Sequence, residues 1–367
     1  MPLSPAAPPA YTESLDAEFP APYQPWPPPE DLTPPAAAPA REPAWSGLEV
    51  VVIILFSLLA IVFFTFVAVA GLALAAHWSS WRVALGTELS LVAITLLGQT
   101  GGFAAGFAFA WLWISDLHAV RFWRAIHWRG LRPGQVAAVL LGGTATMVAV
   151  QLLGHLLPMP SELPMDQLFT PRTAWLLAIY GVAIAPFFEE FIFRGLIYPT
   201  LRSTFQEGVA SGELRAWRPL VRLLGVLGLV GIAYWLLRIH ILALPVGRVG
   251  EVGGTLAVGA CLMALALPGL PLAAAGWGVN RMAGWRRPEL LAISVTGLLF
   301  GLLHASQLGW AWAAVLILVL VGVALTAVRA ATGSLMASWL FHCAYNGSLF
   351  AAQFVATQGF HHFPPGH

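Results

Sequence analysis

The chain has 367 residues, of which 58% are hydrophobic and only 10% charged, and its mean hydropathy is +0.77. A water-soluble globular protein of this length is excluded, because so apolar a surface cannot stay dispersed in water. The net charge is +1 and every one of the 18 basic residues is Arg; their placement at the ends of apolar runs is accounted for by topology, so no nucleic-acid partner is expected.

The first 45 residues hold 14 of the chain's 28 prolines, including Pro27-Pro28-Pro29 and Pro34-Pro35. This composition predicts a disordered, mildly acidic tail over 1–45. It lacks the basic start and short apolar core of a cleaved signal peptide, so the first apolar run is expected to serve as the insertion signal.

A helix of about 18 to 20 apolar residues crosses a bilayer. Runs of that kind lie near 50–76, 89–115, 136–157, 173–199, 223–244, 254–277, 290–308, 311–328 and 334–356. The expected fold is therefore an all-α polytopic membrane protein with about nine transmembrane helices. Continuous apolar runs of this length argue against a barrel, whose strands would be short and alternating. The run 136–157, with Gly142, Gly143, Gln151 and His155, and the run 254–277, with Pro268 and Pro271, are candidates for kinked or re-entrant elements. The organisation read from this is a set of N-terminal helices over 46–172, a core over 173–356 interrupted by an inserted segment 203–289, and a short tail over 357–367.

Arg121, Arg124, Arg129 and Arg132 follow the second run, Arg202, Arg215, Arg218 and Arg222 the fourth, and Arg281, Arg286 and Arg287 the sixth. By the positive-inside rule these loops are cytoplasmic, with the N-terminus inside and the C-terminus outside a cell membrane. The two cysteines, Cys261 and Cys343, sit in different apolar runs and predict neither a disulfide nor a Cys-based metal site.

Carboxylates at membrane depth are costly, so each marks a candidate site. Glu49, Glu88 and Asp116 fall at run ends, which leaves Glu189 and Glu190 in Pro186-Phe187-Phe188-Glu189-Glu190-Phe191-Ile192-Phe193-Arg194-Gly195. Glu190 and Arg194 are one helical turn apart and can neutralise each other. Glu189 is rotated away from that pair and is free to take a proton from water. Further on, His304 lies deep in the seventh run, in Phe300-Gly301-Leu302-Leu303-His304. In the last run His342 and Asn346, one of only two Asn in the chain, stand one turn apart on a common face. Counted from the run starts, His304 and His342 would differ in height by about 9 Å at ~1.5 Å per residue.

Taken in order, Glu-Glu-x-x-x-Arg, Phe-x-x-x-His and His-x-x-x-Asn, each on its own apolar helix, resemble the CPBP family, also called the CAAX-protease and bacteriocin-processing or Abi family. Thr332-Gly333-Ser334-Leu335 ahead of the last run is similar to that family as well. The resemblance covers residues 173–203 and 290–350. It implies an intramembrane endopeptidase acting on a membrane-associated peptide or protein, in which Glu189 activates water and His304 orients it. His342 and Asn346 would stabilise the oxyanion, with Glu190, Arg194 and Phe300 as structural support. The roughly hundred residues between Arg194 and Phe300 depart from the family's pattern.

Those roles also stand on chemistry, since peptide hydrolysis needs a deprotonated water and donors aimed at the developing oxyanion. Glu189, His304 and His342 can instead hold Zn2+ or another divalent metal, two His and one Glu being a known catalytic ligand set. The residues alone admit both. They also admit a catalytically silent scaffold or bacteriocin-immunity-type protein, and a transporter with an acid–histidine relay, although no internal repeat supports the last. The Lys-free composition points to a GC-rich prokaryotic genome, where protein prenylation is not expected.

Overall fold

The computed structural model describes residues 43–75, 86–160, 163–211 and 287–363. These residues form helices and turns and contain no strand. In chain order the helices are α1 (Gly47–Ala75), α2 (Glu88–His118), a single turn α3 (Phe122–Ala125), α4 (Pro133–Gly154), a continuous helical rod α5 (174–211), α6 (Arg287–Leu303), α7 (Trp312–Thr332) and α8 (Leu335–Ala356).

Five helices are long and apolar enough to cross a membrane: α1, α2 from Leu89, α4, the Ala174–Gly208 part of α5, and α7. Among the described residues the count is therefore five, against nine expected over the whole chain. The runs 223–244 and 254–277 lie outside those residues, as do most of the inserted segment and all but the end of the Pro-rich tail. The run 290–308 yields only the 17-residue α6, which stops at Leu303. The last run is helical for 22 residues, but Ser338, His342 and Asn346 recur every fourth position and dilute its hydropathy. Over 357–363 the chain packs back onto the helices, with Phe360 buried against Phe169, Ala174 and Ala178.

Between membrane helices lipid removes the hydrophobic driving force, so association rests on close packing and interhelical hydrogen bonds. The α1–α2 contact shows this plainly. A Cβ on Gly102 would come within 2.3 Å of Ile61, and one on Gly106 within 1.9 Å of the Ser57 hydroxyl. The helices can approach this closely only without those side chains. At one end of the pair, Glu49 of α1 accepts from Ser46, from Trp113 Nε1 (3.1 Å) and from His118 Nε2 (2.7 Å) of α2. Trp45 is fully buried and donates from Nε1 to Thr200 Oγ1 (3.0 Å), pinning the start of α1 to α5.

The junction of α7 and α8 explains the Thr-Gly-Ser-Leu sequence. Gly333, with φ of +62°, ends α7 in the left-handed conformation that glycine adopts without penalty. Ser334 then caps α8, its Oγ accepting from Ala337 N–H while donating to Arg129 O (2.7 Å).

Candidate active site

The site starts from the irregularity of α5. After the α-helical Ala174–Ile179, residues Tyr180–Ile184 form a π turn closed by Ala185 N–H to Tyr180 O. Ala185–Glu190 are α-helical, Phe191–Ile197 are again π, and Tyr198–Ser211 return to α. A π turn accommodates an extra residue, so whatever follows is rotated by about 100° relative to an unbroken α-helix. Pro186, buried just after the first π turn, has no N–H to give and crowds the preceding turn, a recognised cause of such a break. The sequence alone predicted a regular helix here. The two glutamates instead close the α-helical stretch Ala185–Glu190 between two π segments, with Glu190 turned to α7 and α8 and Glu189 to His304 and His342.

Glu190 is sealed. Both it and Arg194 have no exposed surface, and the expected ion pair is formed at 2.9 Å. Arg194 also donates to Thr326 Oγ1 (3.1 Å) and to Gly322 O (2.8 Å) of α7, with its guanidinium 4.6 Å from the Phe300 ring centre. The acid has further partners on α8: Ser338 donates its hydroxyl to Oε2, and His342 Nδ1 lies 2.9 Å from Oε1. Glu190 therefore does more than pair with Arg194; it ties α5 to α8 and orients a histidine.

Glu189 faces the other way and keeps 22% of its side chain exposed. Its Oε1 lies 3.6 Å from His304 Nε2 and its Oε2 lies 3.8 Å from His342 Nε2. These separations are too long for direct hydrogen bonds. Both imidazoles have their Nδ1 committed, His304 to Phe300 O (2.7 Å) and His342 to Glu190. Since a carbonyl and a carboxylate only accept, both Nδ1 atoms are donors and both Nε2 atoms face Glu189.

His304 is not mid-helix, as the sequence suggested, but the first residue past the end of α6. Its ring reaches back to the Phe300 carbonyl through Nδ1 (2.7 Å). Despite the height difference expected from the run starts, the two histidines meet at one carboxylate. Phe300, 2% exposed, packs against both rings and against Phe193, with centroid separations of 4.6, 5.9 and 5.2 Å. Asn346 lies one turn beyond His342, but its Nδ2 donates to Gly181 O at 2.6 Å.

Ser338 and Thr326 were missed at the level of sequence. The signal for Ser338 was present, because Ser338, His342 and Asn346 form one i, i+4, i+8 stripe. Thr326 looked like one small hydroxyl in an apolar run. Tyr180 was also missed. It is buried and donates to Gln99 Oε1 of α2 (3.0 Å).

Two imidazole nitrogens and a carboxylate are suitable donor types for a divalent metal. As placed, however, they do not constitute a ligand group: among the described residues no set of three or more His, Cys, Asp or Glu is arranged to hold an ion.

Residues 272–348 match the family model described as Type II CAAX prenyl endopeptidase Rce1-like. The match takes in His304, His342 and Asn346 and ends before the close of α8; the glutamates of α5 lie outside it. No curated protein and no solved structure matches the chain.

Proposed function

We propose that this chain, a member of the CPBP family of CAAX-type proteases, is an intramembrane endopeptidase that uses Glu189 to activate water against a peptide bond of a membrane-associated substrate. The observation that carries the reading is the pairing of an accessible carboxylate with a sealed one. Glu190 is consumed by Arg194, Ser338 and His342, whereas Glu189 has no direct hydrogen bond and looks onto two imidazole Nε2 atoms.

Gaps of 3.6 and 3.8 Å between Glu189 and the two rings suit one bridging water. In this mechanism Glu189 removes a proton from that water, and the oxygen forms a bond to the scissile carbonyl carbon. The C–N bond then breaks, and the proton held by Glu189 passes to the leaving amine. With its Nδ1–H held by Glu190, His342 can donate to the oxyanion from Nε2 only as the imidazolium, while His304 Nε2 accepts from the water and orients it.

The peptide is expected to be membrane-tethered, because the site lies among apolar helices. The test is cleavage of a library of membrane-tethered reporter peptides by the purified, reconstituted protein, comparing wild type with Glu189→Gln, each with and without chelator. Cleavage by wild type alone, indifferent to chelator, is expected. Equal inertness of two folded proteins would overturn the reading in favour of a silent scaffold.

A further inference from the structure

The family resemblance gives Asn346 to the oxyanion, yet one of its two amide N–H groups is given to a backbone carbonyl. That acceptor is one the local sequence leaves short of a partner. In the π turn, Ala185 N–H bonds Tyr180 O, five residues back. The next donor in that register would be residue 186, bonding Gly181 O. Residue 186 is proline and has no N–H. In an apolar environment an unpaired backbone carbonyl is costly, and the Asn346 amide supplies the missing donor at 2.6 Å.

The contact is built for this on both sides. A Cβ on Gly181 would lie 2.9 Å from the ring of Phe350, which is one turn beyond Asn346 on the same face of α8. At Gly347 the two helices are also in contact, a Cβ there meeting Val182 Cγ1 at an ordinary 3.6 Å. His342, one turn before Asn346, stands on this face too and meets Glu190 and Glu189. One face of α8 therefore grips α5 on either side of Pro186: at the π turn through Asn346 and at the glutamates through His342.

We propose that Asn346 is a positioning residue: by capping the Gly181 carbonyl orphaned by Pro186, it holds the π turn whose extra rotation aims Glu189 at His304 and His342. This rests on the reading of Glu189 as the active acid, and it replaces the oxyanion role expected for Asn346 from the family resemblance.

The test is a double-mutant cycle with Asn346→Ala and Pro186→Ala in the full-length, reconstituted chain, read by thermal unfolding midpoint and by kcat and KM on a cleaved reporter peptide. Alanine at 186 restores an N–H, so Gly181 O gains a backbone donor whether the turn stays π or relaxes to α. Asn346→Ala alone is expected to lower the midpoint by at least about 2 °C and kcat by about 10–100-fold at nearly unchanged KM. Adding Pro186→Ala is expected to recover at least about half of the midpoint loss, a coupling that independent sites do not show.

Additive midpoint losses would overturn the proposal. So would a kcat loss in Asn346→Ala with the midpoint unmoved, which would make the amide a donor at the reacting carbonyl. A rescued midpoint with kcat untouched in the single variant would refute the positioning of Glu189. If Asn346→Ala does not accumulate as folded protein, recovery of folding in the double variant supports the proposal and its continued absence overturns it. The thermal cycle needs no substrate, so a wild type inert toward every peptide would sink the reading of Glu189 while the brace at Gly181 is still decided.

Discussion

Replacing Arg194 separates what holds the site together from what makes it react. Its guanidinium, fully buried, makes one ion pair and two further hydrogen bonds, to Glu190, Thr326 and Gly322. Arg194→Met keeps the length of the side chain but leaves Glu190 as a buried carboxylate with only Ser338 and His342. Breaking a buried pair from one side costs about 3–5 kcal/mol, mainly because the surviving charge is uncompensated. Removing both partners, with Glu190→Gln in the same chain, eliminates that charge. The double variant should recover to within about 1–2 kcal/mol of wild type, since an uncharged isostere pair is often nearly neutral. Activity should not recover, because a carboxamide no longer offers His342 Nδ1 a carboxylate, and about a 10–100-fold loss is expected from that change alone. The assay is equilibrium unfolding in mixed micelles beside peptide cleavage in proteoliposomes. An Arg194→Met cost below about 1 kcal/mol, or a double variant as unstable as the single one, would refute the view that Arg194 acts by neutralising Glu190.

Glu189→Gln should reduce kcat by about 10²–10⁴-fold with the unfolding transition unmoved, because the carboxylate makes no direct hydrogen bond in the fold; a matching loss of stability would contradict this. His304→Phe should cost about 0.5–1.5 kcal/mol or more of unfolding free energy, because Phe300 O loses the Nδ1 donor that it holds at 2.7 Å, and should abolish cleavage in the reporter assay. Gly102→Val should separate α1 from α2 at a cost of about 1–3 kcal/mol or more, seen as a lower unfolding midpoint, because its side chain would fall on the Ile61 backbone at 2.4 Å. Trp45→Phe removes one interhelical hydrogen bond to Thr200 and should cost about 0.5–1.5 kcal/mol, measured the same way.

Much of the candidate site was legible in the amino-acid sequence, and for one reason. Polar groups at membrane depth carry a desolvation cost, so Glu189, Glu190, Arg194, His304, His342 and Asn346 stand out against their apolar runs. The membrane character itself, the all-helical class and the Glu190–Arg194 pair follow from hydropathy and from spacing along a single segment. These are local properties, and no knowledge of the rest of the chain is needed to read them.

What the sequence could not determine depends on contacts between distant segments and on departures from ideal helix geometry. His342 meets Glu190 across 152 positions, and Arg194 meets Gly322 and Thr326 across 128 and 132. Helical spacing cannot foresee such pairs, so Ser338 and Thr326 went unnoticed as partners of the buried ion pair. The same limit explains why the run through His304 was read as continuous helix, although α6 ends one residue before it. It explains too why the hydrogen bond from Asn346 to Gly181, 165 positions away, is not legible from spacing. Hydropathy reports that a segment is apolar enough for the membrane, but the azimuth of each side chain is set by two π turns around Pro186 and by α7 and α8 closing over them. Cost of burial is written residue by residue in the sequence; the direction in which each costly group points is decided only when the helices pack.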